Sequence, residues 1–295
     1  MHVTRALGRA GDGRAVRRTL LAAITQVLRT TSHLCFTILA AISFLTVPSV
    51  ARGQNTGLPF TATFDAGNFN EWMGFRNNNN ATLPSTGCVS GRCLRIPFVP
   101  GTLNEAYGDF YYADHQSVGG SRVEEVWLRL YSKFDTGTTW PGADQKIAVM
   151  NLTDASGARR YQVIVNVTQG TYVVQHTDID AWRFTNLNQN VGAAVGVRFD
   201  QWDKLKLYVR LNTPGQSNGI VRFWVNNQLK VDRTNVSIRA GTSLGLNKLI
   251  VGSYSNPAHN GNGVQWIDEV RLSATDPDAG SPTPPAAPTG VRIVP

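Results

Sequence analysis

The chain has 295 residues, 42% of them apolar, and a formal net charge of +8. The apolar share is ordinary for a globular protein, and the length allows one large or two small domains. The charge is unevenly placed. Residues 1–51 hold six of the 28 basic residues (Arg5, Arg9, Arg14, Arg17, Arg18, Arg29) and one of the 20 acids, Asp12, which leaves 22 basic and 19 acidic residues, or +3, for the rest. So mild a body charge gives no reason to expect a nucleic-acid partner.

Residues 1–51 read as a signal or targeting segment. "LCFTILAAISFLTV" (residues 34–47) is uncharged, suits an export h-region and is short for a membrane span. Small residues at Ser49 and Ala51 place cleavage after Ala51, and an uncleaved anchor is the rival reading. Cys35 would leave with the leader, whereas Cys88 and Cys93 in "CVSGRC" remain. In an oxidising compartment that pair is a disulfide clip on a turn; a metal site would need two further ligands. A secreted, periplasmic or cell-surface protein is expected, with no membrane association after cleavage, and as a monomer.

After a short linker (52–57), strand follows strand, separated by Gly, Asn, Asp and Pro clusters. In order they are "VEEVWLRLYSKF", "QKIAVMNL", "RYQVIVNV", "TYVVQHT", "DKLKLYVRL", "GIVRFWVNNQ", "NKLIVGSY" and "VQWIDEVRL". The spacing predicts an all-β, antiparallel sandwich of jelly-roll size over residues 58–275. In "EVWLRLYSKF", Val126, Leu128, Leu130 and Phe134 form an oily face, and Glu125, Trp127, Arg129, Tyr131 and Lys133 form the other. "DKLKLYVRL" repeats the pattern: Lys204, Lys206, Tyr208 and Arg210 face out, with Arg222 and Trp224 beyond the hairpin, and this second patch reads as a solvated face. Residues 276–295 are a Pro-rich tail or linker. Asn80, Asn151, Asn166 and Asn235 head N-x-S/T triplets.

"FTATFDAGNFNEW", the hairpin around "WDKLKLYVRLNTPGQSNGIVRFWVNNQLKV" and "GVQWIDEVRLS" together resemble the concanavalin A-like lectin/glucanase superfamily, in particular its secreted polysaccharide-lyase-like members. The resemblance implies a jelly roll of two antiparallel sheets, one lining a groove. It places Trp127 and Tyr131 in that groove as a sugar platform, with Arg129 and Lys133 adding charge. The alternative puts these residues on the convex face, with Trp127 half covered by a loop.

Retaining glucanases of this superfamily need two carboxylates about 5 Å apart on one strand. Here Glu124 and Glu125 diverge, as do Asp268 and Glu269, so hydrolysis by that route is not expected. Its alginate lyases carry a late Y-F-K-A-G-x-Y strand, which "NKLIVGSYSN" resembles at Gly252 and Tyr254. That makes Tyr254 the expected acid/base of a β-elimination, Arg129 the partner of the uronate carboxylate, and Lys146 a further catalytic candidate. The R-x-E-L-R and Q-x-H patterns of those lyases are missing, and Asn151 stands as the polar remnant of the second. By period two, Lys146 shares a face with Ala148 and Met150. His176 shares one with Tyr172 and Val174, a core-like setting, although it too is a substrate-binding candidate.

No cofactor is expected. Asp65, Asn68, Glu71 and Asp268 offer the oxygen ligands of a structural calcium, or else cap turns. The expected activity is lysis of an acidic, uronate-bearing polysaccharide. The alternative is a non-catalytic carbohydrate-binding or adhesion module.

Overall fold

In a computed structural model, fifteen strands and no helix are found among the described residues, which are 57–103, 105–112, 123–140, 144–154, 156, 158–179, 183–187, 195–240, 244–256 and 261–279. The leader and most of the Pro-rich tail lie outside them. The strands are β1 (Phe60–Ala62), β2 (Gly74–Asn77), β3 (Leu94–Pro97), β4 (Ala106–Tyr111), β5 (Glu125–Phe134), β6 (Asp144–Thr153), β7 (Arg159–Thr168) and β8 (Thr171–Asp178). They continue as β9 (Arg183–Asn186), β10 (Val195–Gly196), β11 (Asp203–Arg210), β12 (Gly219–Val225), β13 (Gln228–Val236), β14 (Lys248–Asn256) and β15 (Val264–Ser273).

Seven strands form the first sheet, in the order β1-β15-β5-β11-β12-β13, with β3 also on β15. Eight form the second, in the order β10-β8-β7-β6-β14-β4-β2, with β9 also on β8. Every strand ladder is antiparallel, as the alternating patterns predict. Two hairpins close through paired residues with φ > 0: Gln169-Gly170 between β7 and β8, and Asn226-Asn227 between β12 and β13. That is the tight-turn geometry that matches strand twist, and Asn and Gly adopt it at least cost.

The sheets meet through their oily faces. Leu128 and Leu130 of β5, Leu205 and Leu207 of β11 and Phe223 of β12 surround one small void with Ala148 of β6 and Val165 of β7. Trp72, 1% exposed, anchors the opening segment in this core against Phe60 and Phe64. The expected sandwich and most of its strands are therefore present. The short strands β2, β3, β9 and β10, the six-residue β4 and the nine-residue β13 are additions to the strands expected from the sequence.

Cys88 and Cys93 form a disulfide, with Cα atoms 5.4 Å apart. The clipped loop is pinned by the wholly buried Asp268, whose Oδ2 accepts the N–H of Val89 (2.8 Å) and Ser90 (3.2 Å). Burial pushes the Asp268 carboxyl up to about 6, against the lowering effect of those backbone donors and that of Glu269. With the folded value raised, the fold takes up a proton between 3.8 and about 6. The stability this group contributes is full below that window and falls as pH rises through it. Asp268→Asn should flatten this part of the pH dependence of the melting temperature, and an unchanged slope would show that the side chain does not titrate there.

Asp65 Oδ1 accepts the Arg92 N–H, Glu71 accepts those of Thr63 and Phe64, and Asn68 Oδ1 accepts that of Asn70. With Asp268, the four side chains named for calcium thus each accept backbone N–H groups, as the turn-cap alternative expects. Of the four N-x-S/T asparagines, Asn80 and Asn235 are exposed; Asn151 and Asn166 are buried and out of reach of glycosylation.

Candidate functional site

The polar side of β5 does not meet Tyr254. β5 lies in the first sheet and β14 in the second, and the core lies between them. Trp127, Arg129, Tyr131 and Lys133 alternate with core residues, so they point away from the second sheet. The groove expected from these residues together with Tyr254 is therefore not formed, because the two sets of side chains stand on different sheets.

What occupies that face explains its composition. Lys133 Nζ sits 4.3 Å from the Trp266 ring and 5.0 Å from that of Trp202, and donates to Gly87 O at 3.0 Å, bracing the disulfide loop. Further along, Trp127 packs on Tyr208 and Trp224, with ring centroids 4.4 and 5.7 Å apart. Lys206 Nζ lies over both Trp127 (5.5 Å) and Trp224 (5.0 Å). Asp276 and Asp278 close over this cluster: Lys206 pairs with Asp276 at 3.0 Å, Lys204 with Asp278 at 2.8 Å, and Arg129 with Asp278 at 3.6 Å. Arg129 also pairs with Glu269 at 2.9 Å and is only 8% exposed, so it is not available as a carboxylate partner in a cleft.

The other four candidates, His176, Asn151, Lys146 and Tyr254, all fall on strands of the second sheet. His176 points into the core, 7% exposed, where its Nε2 lies 2.7 Å from Ile238 O and its ring stacks on Tyr161. It is a structural histidine and not a substrate ligand. Asn151 lies on the outer face of β6, but it is wholly buried and accepts from Gln162 Nε2 at 2.7 Å.

Lys146 and Tyr254 do come together. They are register partners across β6 and β14, and the lysine Nζ lies 4.3 Å from the tyrosine ring centroid. The strand ladder makes this possible by an irregularity. Between Lys146 and Ala148 the pairing with β7 skips Ile147, which packs into the core beside Ala148. One extra inward residue reverses the alternation, so Lys146 faces out although Ala148 and Met150 face in.

Around the pair, a row runs across the strands. Arg76 of β2 pairs with Tyr107 of β4 and lies 5.7 Å from its ring. Tyr107 meets Tyr254 edge-on at 6.2 Å. On the other side Lys146 pairs with Asn166 of β7, whose Nδ2 donates to Gln175 Oε1 of β8 at 2.7 Å. Tyr107, Tyr254, Lys146 and Gln175 are half-buried; Asn166 is 1% exposed, and its Oδ1 has no partner. At about 4.8 Å per strand, the four steps from Arg76 to Asn166 span roughly 19 Å.

Burial lowers the Lys146 ammonium to about 8, with Arg159 adding to the effect and Asp144 opposing it. Burial raises the Tyr107 phenol, and Arg76 partly offsets this. Such a site offers an amine that is partly neutral near neutral pH, a phenol beside it and carboxamides able to hold an anion; the exposed Arg76 guanidinium at its end is paired with Glu105 at 2.9 Å. Tyr107, Arg76 and Gln175 were not singled out from sequence. The signal for Tyr107 was "AYGDFY", in which Tyr107, Asp109 and Tyr111 alternate with Ala106, Gly108 and Phe110.

The sequence pattern of the family described as Polysaccharide lyase 14 matches residues 158–269. No curated protein sequence matches. Among solved structures, the chain is similar to an endo-β-1,4-glucuronan lyase from the fungus Trichoderma reesei at 15% identity, with a TM-score of 0.51 over 73% of this chain and 95% of that one. It is also similar to the marine PL-14 alginate lyase from Aplysia kurodai (12% identity, TM-score 0.51, covering 74% and 98%). A third is a cellulose induced protein (11% identity, TM-score 0.50, covering 73% and 97%). At these identities the structures speak to the fold alone, and the fold is the concanavalin A-like jelly roll.

Proposed function

We propose that this concanavalin A-like jelly roll, which carries a polysaccharide-lyase sequence pattern, is an extracellular lyase that cleaves an acidic polysaccharide by β-elimination. The carrying observation is the Lys146–Tyr254 pair on the outer face of the second sheet, with the lysine brought to about 8 by burial.

In β-elimination the C5 proton of a uronate leaves, its electron pair forms the C4–C5 double bond, and the glycosidic oxygen departs from C4 with a proton. Lys146, neutral in part of the population, accepts the C5 proton. The Tyr254 hydroxyl donates to the departing oxygen. Negative charge builds on the uronate carboxylate as the first proton leaves, and a donor must meet it there. Gln175 suits this role, since its Oε1 is already taken by Asn166 and its N–H groups remain for an anion. At the far end of the row Tyr107 is the platform for a neighbouring sugar, with the exposed Arg76 guanidinium, which Glu105 holds at 2.9 Å, beside it. The two-carboxylate chemistry of retaining glucanases needs residues that this row lacks.

The reading predicts the pH profile. Because burial lowers the Lys146 value, its neutral form grows as pH rises, so kcat/KM should climb from pH 6 and level off above about 8. A rate that is flat or falls over that range would remove Lys146 as the base. The primary test is incubation with alginate, glucuronan, pectate and a glycosaminoglycan while following the ultraviolet absorbance of the unsaturated product. Binding without absorbance change would instead favour a carbohydrate-binding module. Export is supported by the disulfide and by the uncharged run at residues 34–47. A monomer remains our expectation, to be checked by the mass in solution.

A further inference from the structure

The outer face of the first sheet carries a cluster that the catalytic reading does not use. Trp127, Trp224 and Tyr208 are packed together, Lys206 lies over both indoles, and Lys204 and Arg129 flank them. Half-buried indoles with cations over and beside them offer a carboxylated sugar both apolar contact and charge. The cluster already holds carboxylates, which are the chain's own. Asp276 and Asp278 meet Lys206, Lys204 and Arg129 at 2.8 to 3.6 Å. The side chains in these pairs are 10 to 29% exposed, so the contacts border solvent.

We infer that this face is a second binding surface for carboxylated polysaccharide, separate from the Lys146–Tyr254 site, and that the Asp276–Asp278 segment occupies it as an internal mimic of the ligand. Segment and glycan compete for Lys204 and Lys206, so the intact chain holds the glycan weakly here, and release of the segment opens the surface. The choice of a carboxylated glycan rests on the acidic-polysaccharide reading above. The surface itself rests on the cluster.

The test is affinity electrophoresis through gels containing alginate, with dextran as the neutral control, on the full chain carrying K146A and Y254F so that the other face neither cleaves nor contributes its central pair. Adding D276N and D278N should tighten alginate binding about tenfold, the scale of a few partly exposed ion pairs released together, and leave dextran migration unchanged. D278N alone should give an intermediate gain, and W127A with W224A should abolish it. Melting curves identify variants that fail to fold, and the single D278N variant then carries the test. No tightening in folded D276N/D278N protein, or a gain that survives W127A/W224A, would overturn the inference and leave the two aspartates as a clasp that closes the domain. Either result is independent of whether the unaltered chain forms unsaturated product, so the two readings fail separately.

Discussion

Replacing Lys146 with alanine, or Tyr254 with phenylalanine, should lower the rate of unsaturated-product formation by about a hundredfold to ten-thousandfold, the range for a positioned acid or base. Tyr254→Phe is the sharper variant. It keeps the ring that packs on Tyr107 and lies under the Lys146 ammonium, and removes only the hydroxyl. Its loss should therefore fall on kcat, with KM nearly unchanged and the melting temperature close to that of the unaltered protein. Lys146→Ala should lose rate and also the rise in activity toward pH 8. Should Tyr254→Phe turn over glycan at the normal rate, the proton donor lies elsewhere. Should both variants do so, the row across β2, β4, β14, β6 and β7 is not the site of cleavage.

Gly252→Ala should be the most damaging conservative change near that row. Gly252 has φ = 147°, a backbone region that side chains rarely adopt. A Cβ there would stand 2.3 Å from Ala106 O and 2.5 Å from Tyr107 Cα, both backbone atoms of the neighbouring strand. Strain and collision add, so a loss of about 3 kcal/mol or more is expected. β4 would have to move away from β14, carrying Tyr107 off Tyr254, so activity should fall further than stability alone explains. Denaturant melts and single-turnover rates on the folded fraction separate the two effects. A variant with wild-type stability would mean that β4 and β14 are less tightly apposed than they are here.

The strand pattern was legible because each sheet buries one face and period two survives over long runs such as Glu125–Phe134. The disulfide was legible from the spacing of Cys88 and Cys93. Which sheet each strand joins was not, because alternation shows that a strand has an inner side without showing what lies beyond the outer one. The aromatic and charged side of β5 therefore looked like a groove, whereas it braces the disulfide loop through Lys133 and the Asp276–Asp278 segment through Arg129 and its neighbours. Lys146 was ambiguous for a different reason. Strict alternation turns it inward with Ala148, and only the skipped partner at Ile147 turns it out. His176 shows the same rule working: regular pairing along β8 keeps it beside Tyr172 and Val174, where it belongs to the interior.

The row from Arg76 to Asn166 takes one residue from each of five strands. A sugar chain lying on it would cross the strands at right angles, so its grip is counted in strands and not in residues. Lengthening β6 or β14 would add nothing to the number of sugars held. Further subsites would come from beyond β2 on one side, or from β9, which pairs with β8 at Gln175, on the other, and the edges of this sheet therefore decide how long an oligosaccharide must be before it covers the row.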